Sequence, residues 1–384
     1  MTAAVDVLIP VFNGSRTVES AVGSIAAQSL ADIRILVVDD GSTDDTAARV
    51  GRMAGADRRI VLLRQANGGI VDALNAGFDA CTAPLVARHD ADDLAAPDRL
   101  QRQAAFLLGH PEVNAVSGAV RHIDEDGRVL GSVLRLVSPD RADLSLFPQR
   151  EPYLMHPFLM MRRAAAVAVG GYRHVFHAED TDLYWRLQEA GDLANMDDVL
   201  GDYRMHANSV TGLSPLNGRI SAVNSQRAGL SALRRRAGRA DLVFPKSALR
   251  DYQAAGTFEA VIAVGSRDLD PEEAARLRIS ACAKLLELAG HRPYELDAAD
   301  CALIGRTLIP ALPSMPADSR GGCIRMMSGT AARLLARGQV RAAMHLTTAR
   351  TAPHTAVRLA LRTAVPTGMR RLLQRTAGKA EFVK

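Results

Sequence analysis

Aromatic residues are scarce, at 4% of 384 residues with a single Trp, and there are only four cysteines. Cys81, Cys282, Cys301 and Cys323 share no CxxC spacing and no metal-site pattern. That argues against a disulfide scaffold and for reduced thiols in the cytoplasm. No run of 18 uncharged apolar residues occurs, so no membrane-spanning helix is expected. The opening MTAAVDVLIP has no basic segment ahead of a hydrophobic stretch, so no secretory leader is expected. No nucleic-acid-binding module stands out and no aromatics interleave with the basic residues, so nucleic acid is not an expected partner.

What is present is a globular composition, 48% apolar, in a chain long enough for two domains. The net charge of +5 hides an asymmetry. Residues 321–384 hold 12 Arg or Lys against the single acid Glu381, whereas the first 320 residues hold 35 basic and 41 acidic residues. An acidic body with a basic tail is the result.

Through the first 210 residues strand and helix signals alternate, as in an α/β domain with a mostly parallel sheet. Val5–Pro10 and Ile33–Asp39 are apolar and β-branched, as strands covered on both faces should be. Between them Val18, Ala21, Val22, Ile25 and Ala26 recur at helical spacing. Ile60–Leu63, Leu85–Ala87 and Val113–Val120 predict further strands, with helices over 70–80 and after Pro97. IDEDGRVLGSV predicts a hairpin around its Asp-Gly turn. Past about residue 212 the strand signals fade and amphipathic helices such as 271–289 take over. The turn-rich NSVTGLSPLNG sets the expected boundary, giving domains 1–212 and 213–384.

The stretch RHDADDLAAPD places Asp90, Asp92, Asp93 and Asp98 directly after an apolar strand. Carboxylates so close repel one another unless a cation sits among them, although a solvated turn capping the next helix is the plain alternative. Ligands in open α/β sheets bind outside the carboxyl ends of the strands. There lie P10-V-F-N-G14, V38-D-D-G-S-T-D44, N67-G-G69 and D90-A-D-D93, two of them with paired carboxylates. Each alone passes for a cap or tight turn; their joint occurrence in this order does not.

With VGGYR, AEDTDLYWRL and YRMHANS added, the chain resembles family 2 glycosyltransferases of the GT-A fold over residues 5 to about 210. The resemblance implies an α/β nucleotide-sugar-binding domain followed by a helical C-terminal region. It implies transfer of a sugar from a nucleotide-diphosphate donor to a glycan or lipid-linked acceptor, with inversion, in cell-surface polysaccharide or glycolipid synthesis. Pro10, Val11 and Asn13 would line the nucleotide site and Asp40 would bond the base, with Asp39 orienting the loop. Asp92 would ligate Mn²⁺ or Mg²⁺, hard cations that prefer oxygen. Asp90 would act through the ribose or a metal-bound water, and Asp93 would be structural, capping the segment after it. Asp180 of the Glu179–Asp180 pair would be the general base, at the head of a helix it could otherwise merely cap. Gly170 and Gly171 would form the loop beneath the sugars, with Trp185 and Arg186 fixing the helix. Arg204 and His206 match the family's C-terminal pair, His206 completing the metal shell or touching a phosphate. His156 falls on the acceptor side.

Two departures stand out. Leu74 precedes Asn75 where the family often has Arg, and Arg88-His89 ends a strand where apolar residues are commoner. Both bear on donor choice. A nucleotidyltransferase would need a Gly-rich basic phosphate loop that PVFNGSRT does not provide. A non-catalytic sugar-binding module would be expected to have lost Asp92 or Asp180. The tail, with AARLLARGQVRAAMHL and TAVRLALRTAVPTGMRRLLQR, predicts basic amphipathic helices suited to an anionic membrane surface, or else an ordinary solvated face. The expected location is cytoplasmic, peripheral at the inner face of the cell membrane.

Overall fold

The structure, a computed structural model, describes residues 3–205, 214–291, 295–348 and 351–364. The β-branched runs form β1 (Val5–Val11) and β2 (Ile33–Asp39), joined by α1 (Val18–Ala26). Helix α2 (Thr46–Ala56) leads to β3 (Ile60–Arg64), and α3 (Ile70–Ala80) to β4 (Leu85–Arg88). These strands pair in parallel in the order β3-β2-β1-β4, and parallel pairing needs the helical crossovers that α1 to α3 supply. Both faces are covered. Val5, Val7 and Ile9 pack with Val18, Val22 and Ile25 on one side, while Leu8 meets Leu74 and Phe78 on the other. Each such side chain contributes about 1.5–3 kcal/mol by leaving water.

Beyond β4 the sheet becomes mixed. Strand β5 (Leu94–Ala95) comes after the acidic stretch, then α4 (Arg99–Gly109), β6 (Val113–Ile123) and β7 (Val129–Leu134). The expected hairpin is β6–β7: the Asp124 carboxylate accepts from Asp126 N and Arg128 N, and Gly127 takes φ 85°. Strand β8 (Met160–Arg162) inserts antiparallel between β4 and β6. After α5 (Arg163–Ala168) and α6 (Glu179–Ala190), β9 (Asp192–Arg204) pairs parallel with β6 and antiparallel with β5. The parallel half thus carries the first three loops, and the mixed half bends back so that Arg204, at the end of β9, reaches the acidic stretch.

Among the described residues no strand follows Arg204. Ser214 caps α7 (Pro215–Arg236) through Asn217 N, with Pro215 at the first helical position. Then come α8 (Ala248–Ala254), α9 (Phe258–Gly265), α10 (Pro271–His291), α11 (Ala298–Ala311), α12 (Ala317–Ala336), α13 (Val340–Leu346) and α14 (Ala352–Ala364). These helices share a core of their own, built from residues such as Leu277, Leu285, Ile304 and Met327. Ala331, Leu334, Ala342, Ala343 and Leu346 belong to it. Much of the apolar face of 331–346, expected to meet a membrane, is therefore occupied by packing inside the protein, while Val340 and Met344 stay exposed. All four cysteines are buried and unbridged, and burial pushes each thiol up to about 12.

Candidate active site

The first three loops form one hydrogen-bonded unit at the carboxyl edge of the parallel strands. Pro10 and Val11 are the last residues of β1 and are buried. Asn13 adopts φ 51°; its amide donates to Ser42 Oγ at 2.9 Å and its Oδ1 accepts from Thr43 N at 2.8 Å. Asp39 does orient its own loop, Oδ1 accepting from Ser42 N at 3.0 Å. Asp40 has a task not read from the sequence. Its carboxylate accepts from Gln65 Nε2 (2.7 Å), Gly68 N (2.9 Å) and Gly69 N (2.8 Å), lacing the second loop to the third.

The acidic stretch leaves β4 beside that unit. Oxygens of Asp90, Asp92 and Asp93 lie within 4.8 Å of one another, Asp93 buried and the other two half-buried. An all-carboxylate set fits a hard divalent cation. The three are not equivalent. Asp90 is ion-paired to the buried Arg88. Asp93 does not cap the segment after it: its Oδ1 accepts from Arg204 N at 2.7 Å. Burial, with Asp90 and Asp92 adding to it, lifts the Asp93 carboxyl well above the carboxylate range. Arg204 also donates Nε to Asp92 O at 2.7 Å, and Nη1 to Asp124 O and Glu125 O at 3.1 and 2.8 Å. It ties the acidic loop to the hairpin by holding the loop's backbone. His206 lies outside the described residues. His89 points into the core. Its Nδ1 meets Arg99 Nη1 at 3.0 Å, and burial keeps the ring neutral. Arg99, lowered by burial to about 9, also donates to Arg88 O at 2.6 Å.

Glu179 and Asp180 begin α6, and Asp182 anchors that helix from within. The buried Asp182 carboxylate accepts from Arg186 (Nε 2.9 Å, Nη2 2.6 Å) and from Arg173 Nε at 2.9 Å. Arg186 Nη1 donates onward to Val169 O and Gly171 O at 2.6 and 2.8 Å, tying the helix to the glycine turn. Gly170 and Gly171 take φ 82° and 64°, which only glycine adopts cheaply. Asn75 bridges that turn to α3, accepting from Tyr172 N at 3.0 Å and donating to Tyr172 O at 2.9 Å. Trp185 packs on Ala228 and Ala232 of α7. Burial, then the adjacent Asp180, pushes Glu179 up to about 7. Asp180 Oδ1 accepts from Thr181 N at 2.7 Å. Nearby, the buried His156 meets Tyr172 OH at 2.9 Å through Nε2, and burial holds its ring neutral.

Two carboxylate groups, one on a strand-end loop and one on a pinned helix, thus serve the same domain. Its sequence matches known proteins accordingly. The model of glycosyl transferase family 2 matches residues 6–170. The amylovoran biosynthesis glycosyltransferase AmsE of Erwinia amylovora is 30% identical over 208 residues, covering 53% of this chain and 77% of AmsE. The chain belongs to glycosyltransferase family 2. The putative glycosyltransferase EpsE of Bacillus subtilis is 32% identical over 193 residues, 49% of this chain and 67% of EpsE. This family 2 glycosyltransferase has the GT-A fold, with helices following the mixed sheet. A solved mannosyltransferase of Pyrobaculum calidifontis, in complex with GDP-Man and Mn²⁺, aligns over 93% of this chain and 88% of its own at 17% identity, with a TM-score of 0.48. So distant a likeness carries no argument about this chain's ligands. The alignments to these two relatives cover about half of this chain.

Proposed function

We propose that the enzyme moves a sugar from a nucleotide-diphosphate donor to an acceptor hydroxyl with inversion, in the synthesis of a cell-surface polysaccharide or glycolipid. The observation that carries this is the convergence of the Asp90–Asp92–Asp93 cluster with the Glu179–Asp180 pair, whose charges act on one another. Names such as that of AmsE support a polysaccharide product. In this reading Pro10, Val11 and Asn13 line the nucleotide, and Asp40 bonds its base while bracing the third loop. Asp92, the second Asp of the Asp-x-Asp motif and a member of the carboxylate cluster, holds the metal. Asp90 then serves the ribose or a metal-bound water, and His206 joins the metal shell or a phosphate. A bound Mn²⁺ or Mg²⁺ supplies Lewis-acid stabilisation of the leaving diphosphate.

Asp180 takes the acceptor's proton as its oxygen attacks the anomeric carbon. The new glycosidic C–O bond forms as the bond to phosphate breaks, and the nucleotide diphosphate leaves with the electron pair. Gly170 and Gly171 floor the site, and His156 with Tyr172 borders the acceptor. We assign this chemistry to residues 1–212 and treat 213–384 as a second, helical domain. Among the described residues no helix is long and apolar enough to cross a membrane. The basic tail therefore suggests peripheral contact with an anionic inner membrane face.

Nucleotide release from a panel of UDP- and GDP-sugars, with Mn²⁺, with Mg²⁺ and with EDTA, tests the reading. Metal-dependent release from one class of donor is expected. No release from any donor with either metal, by folded protein, would reject it.

A further inference from the structure

The segment 142–153 leads to His156 and is held from both sides: Trp185 of α6 packs on Leu144 and Asn195 of β9 donates to Tyr153 O at 3.0 Å, and the C-terminal helices supply the rest. Leu144 packs with Ala228 and Ala232 of α7. Phe147 N donates to Ser319 Oγ of α12 at 2.9 Å, and the Arg276 guanidinium of α10 lies 4.7 Å from the Phe147 ring. Gln149 N donates to Gln226 Oε1 of α7 at 2.9 Å, while its side chain fills the space a Cβ at Gly229 would need. Two residues on, Glu151, its side chain 10% exposed, meets Lys284 Nζ of α10 at 3.0 Å and Gln226 Nε2 at 3.4 Å. Lys284 is itself buried and also pairs with Glu287 at 2.9 Å.

Glu151 carries the charge pair that joins the two regions and lies within electrostatic reach of Asp180. The charged groups acting on it are Lys284 and Glu287 from α10 and Asp180 from α6. A largely shielded carboxylate and a buried ammonium are costly to place unless each compensates the other. Their position, one on each region, makes the pair a lock between them.

We infer that Lys284 is a positioning residue for transfer: through Glu151 it fixes the segment leading to His156 and keeps a compensated charge beside Asp180. The helical region is then part of the catalytic unit rather than an appendage. The catalytic half of this inference rests on the Asp180 reading above; the lock itself does not.

The test uses the full chain with ¹³C-labelled glutamate side chains, and the donor that the nucleotide-sugar panel selects. Burial lifts the Glu151 carboxyl and Lys284 pulls it back. Lys284→Met is expected to move the Glu151 titration upward by about one unit or more, and Lys284→Arg to keep it near wild type. Nucleotide release should fall about tenfold or more in kcat, with donor KM changed about twofold or less, because a misplaced acceptor side spares donor binding. The double variant Glu151→Gln/Lys284→Met removes both charges of the lock, leaving only the half-buried Glu287 without its Lys284 partner, and guards against misfolding; the loss of kcat should persist in it. A folded Lys284→Met with unchanged titration and unchanged kcat, or a double variant turning over at the wild-type rate, would overturn the inference. If Asp180→Asn proves silent, the base assignment fails, and the Glu151 titration still decides the lock.

Discussion

At the scale of single residues, three carboxylates separate cleanly by what surrounds them. Asp92 is the second Asp of the Asp-x-Asp motif and lies with Asp90 and Asp93 in one oxygen cluster, so Asp92→Ala should abolish both transfer and stabilisation by Mn²⁺. Calorimetry with and without the ion, beside an activity assay, reads both. Asp180→Asn should keep donor binding and the α6 terminus while lowering turnover by roughly 10²-fold, the usual contribution of a general base. Turnover within a few-fold of wild type would leave Asp180 a helix cap. Glu179 gives a prediction about stability. Its carboxyl is raised from 4.5 to about 7, so between those values the folded state holds a proton that the unfolded chain has released. Stability from this group is complete below about 4.5 and is lost as pH rises toward 7. Glu179→Gln removes that slope. It should melt like wild type at pH 4.5 and above it at pH 8, checked by thermal unfolding at the two values.

At the scale of elements, the parallel half of the sheet and its loops were legible because the information is local. An apolar β-branched run, a turn with glycine and an amphipathic helix each occupy a few consecutive residues. The mixed half was not. Strand β8 has three residues, and β9 carries Asn195, Asp197, Asp198 and Gly201 with register shifts against β6, so its pairing is decided by distant partners. The roles of Arg204 on the acidic loop and of Asp93 beneath it were hidden for the same reason: they join residues 111 positions apart. Glycine substitutions probe the distinction. In α1, a Cβ at Gly23 would meet nothing within 4 Å, so Gly23→Ala should stabilise by about 0.5–1 kcal/mol. At Gly171, φ 64° and a Cβ only 3.1 Å from Asn75 Oδ1 oppose the change. Gly171→Ala should cost about 1–2 kcal/mol from left-handed backbone alone. Denaturant unfolding of the two variants should give shifts of opposite sign.

At the scale of the whole molecule, the charge asymmetry was plain in the sequence but its consequence was not. Amphipathic periodicity says that a helix has an apolar face; it does not say what covers it. In α12 and α13 most of the cover is the helical core, while Val340 and Met344 of α13 and Val357 of α14 stay exposed. Positions 365–384 hold Arg370, Arg371, Arg375, Lys379 and Lys384 against Glu381 alone. Basic residues near an anionic bilayer are worth about 1 kcal/mol each, an attraction that salt screens within a Debye length. Cutting after residue 330 would strip Leu334, Ala342, Ala343 and Leu346 from the core and confuse unfolding with loss of binding. A chain ending at residue 364 keeps that core, so it should fold and release nucleotide as wild type does. It should sediment with anionic liposomes less than the full chain at low salt, the difference vanishing at high salt and on neutral liposomes. Equal sedimentation by the two chains, or none by either, would make the basic tail a solvated end with no part in placing the enzyme at a membrane.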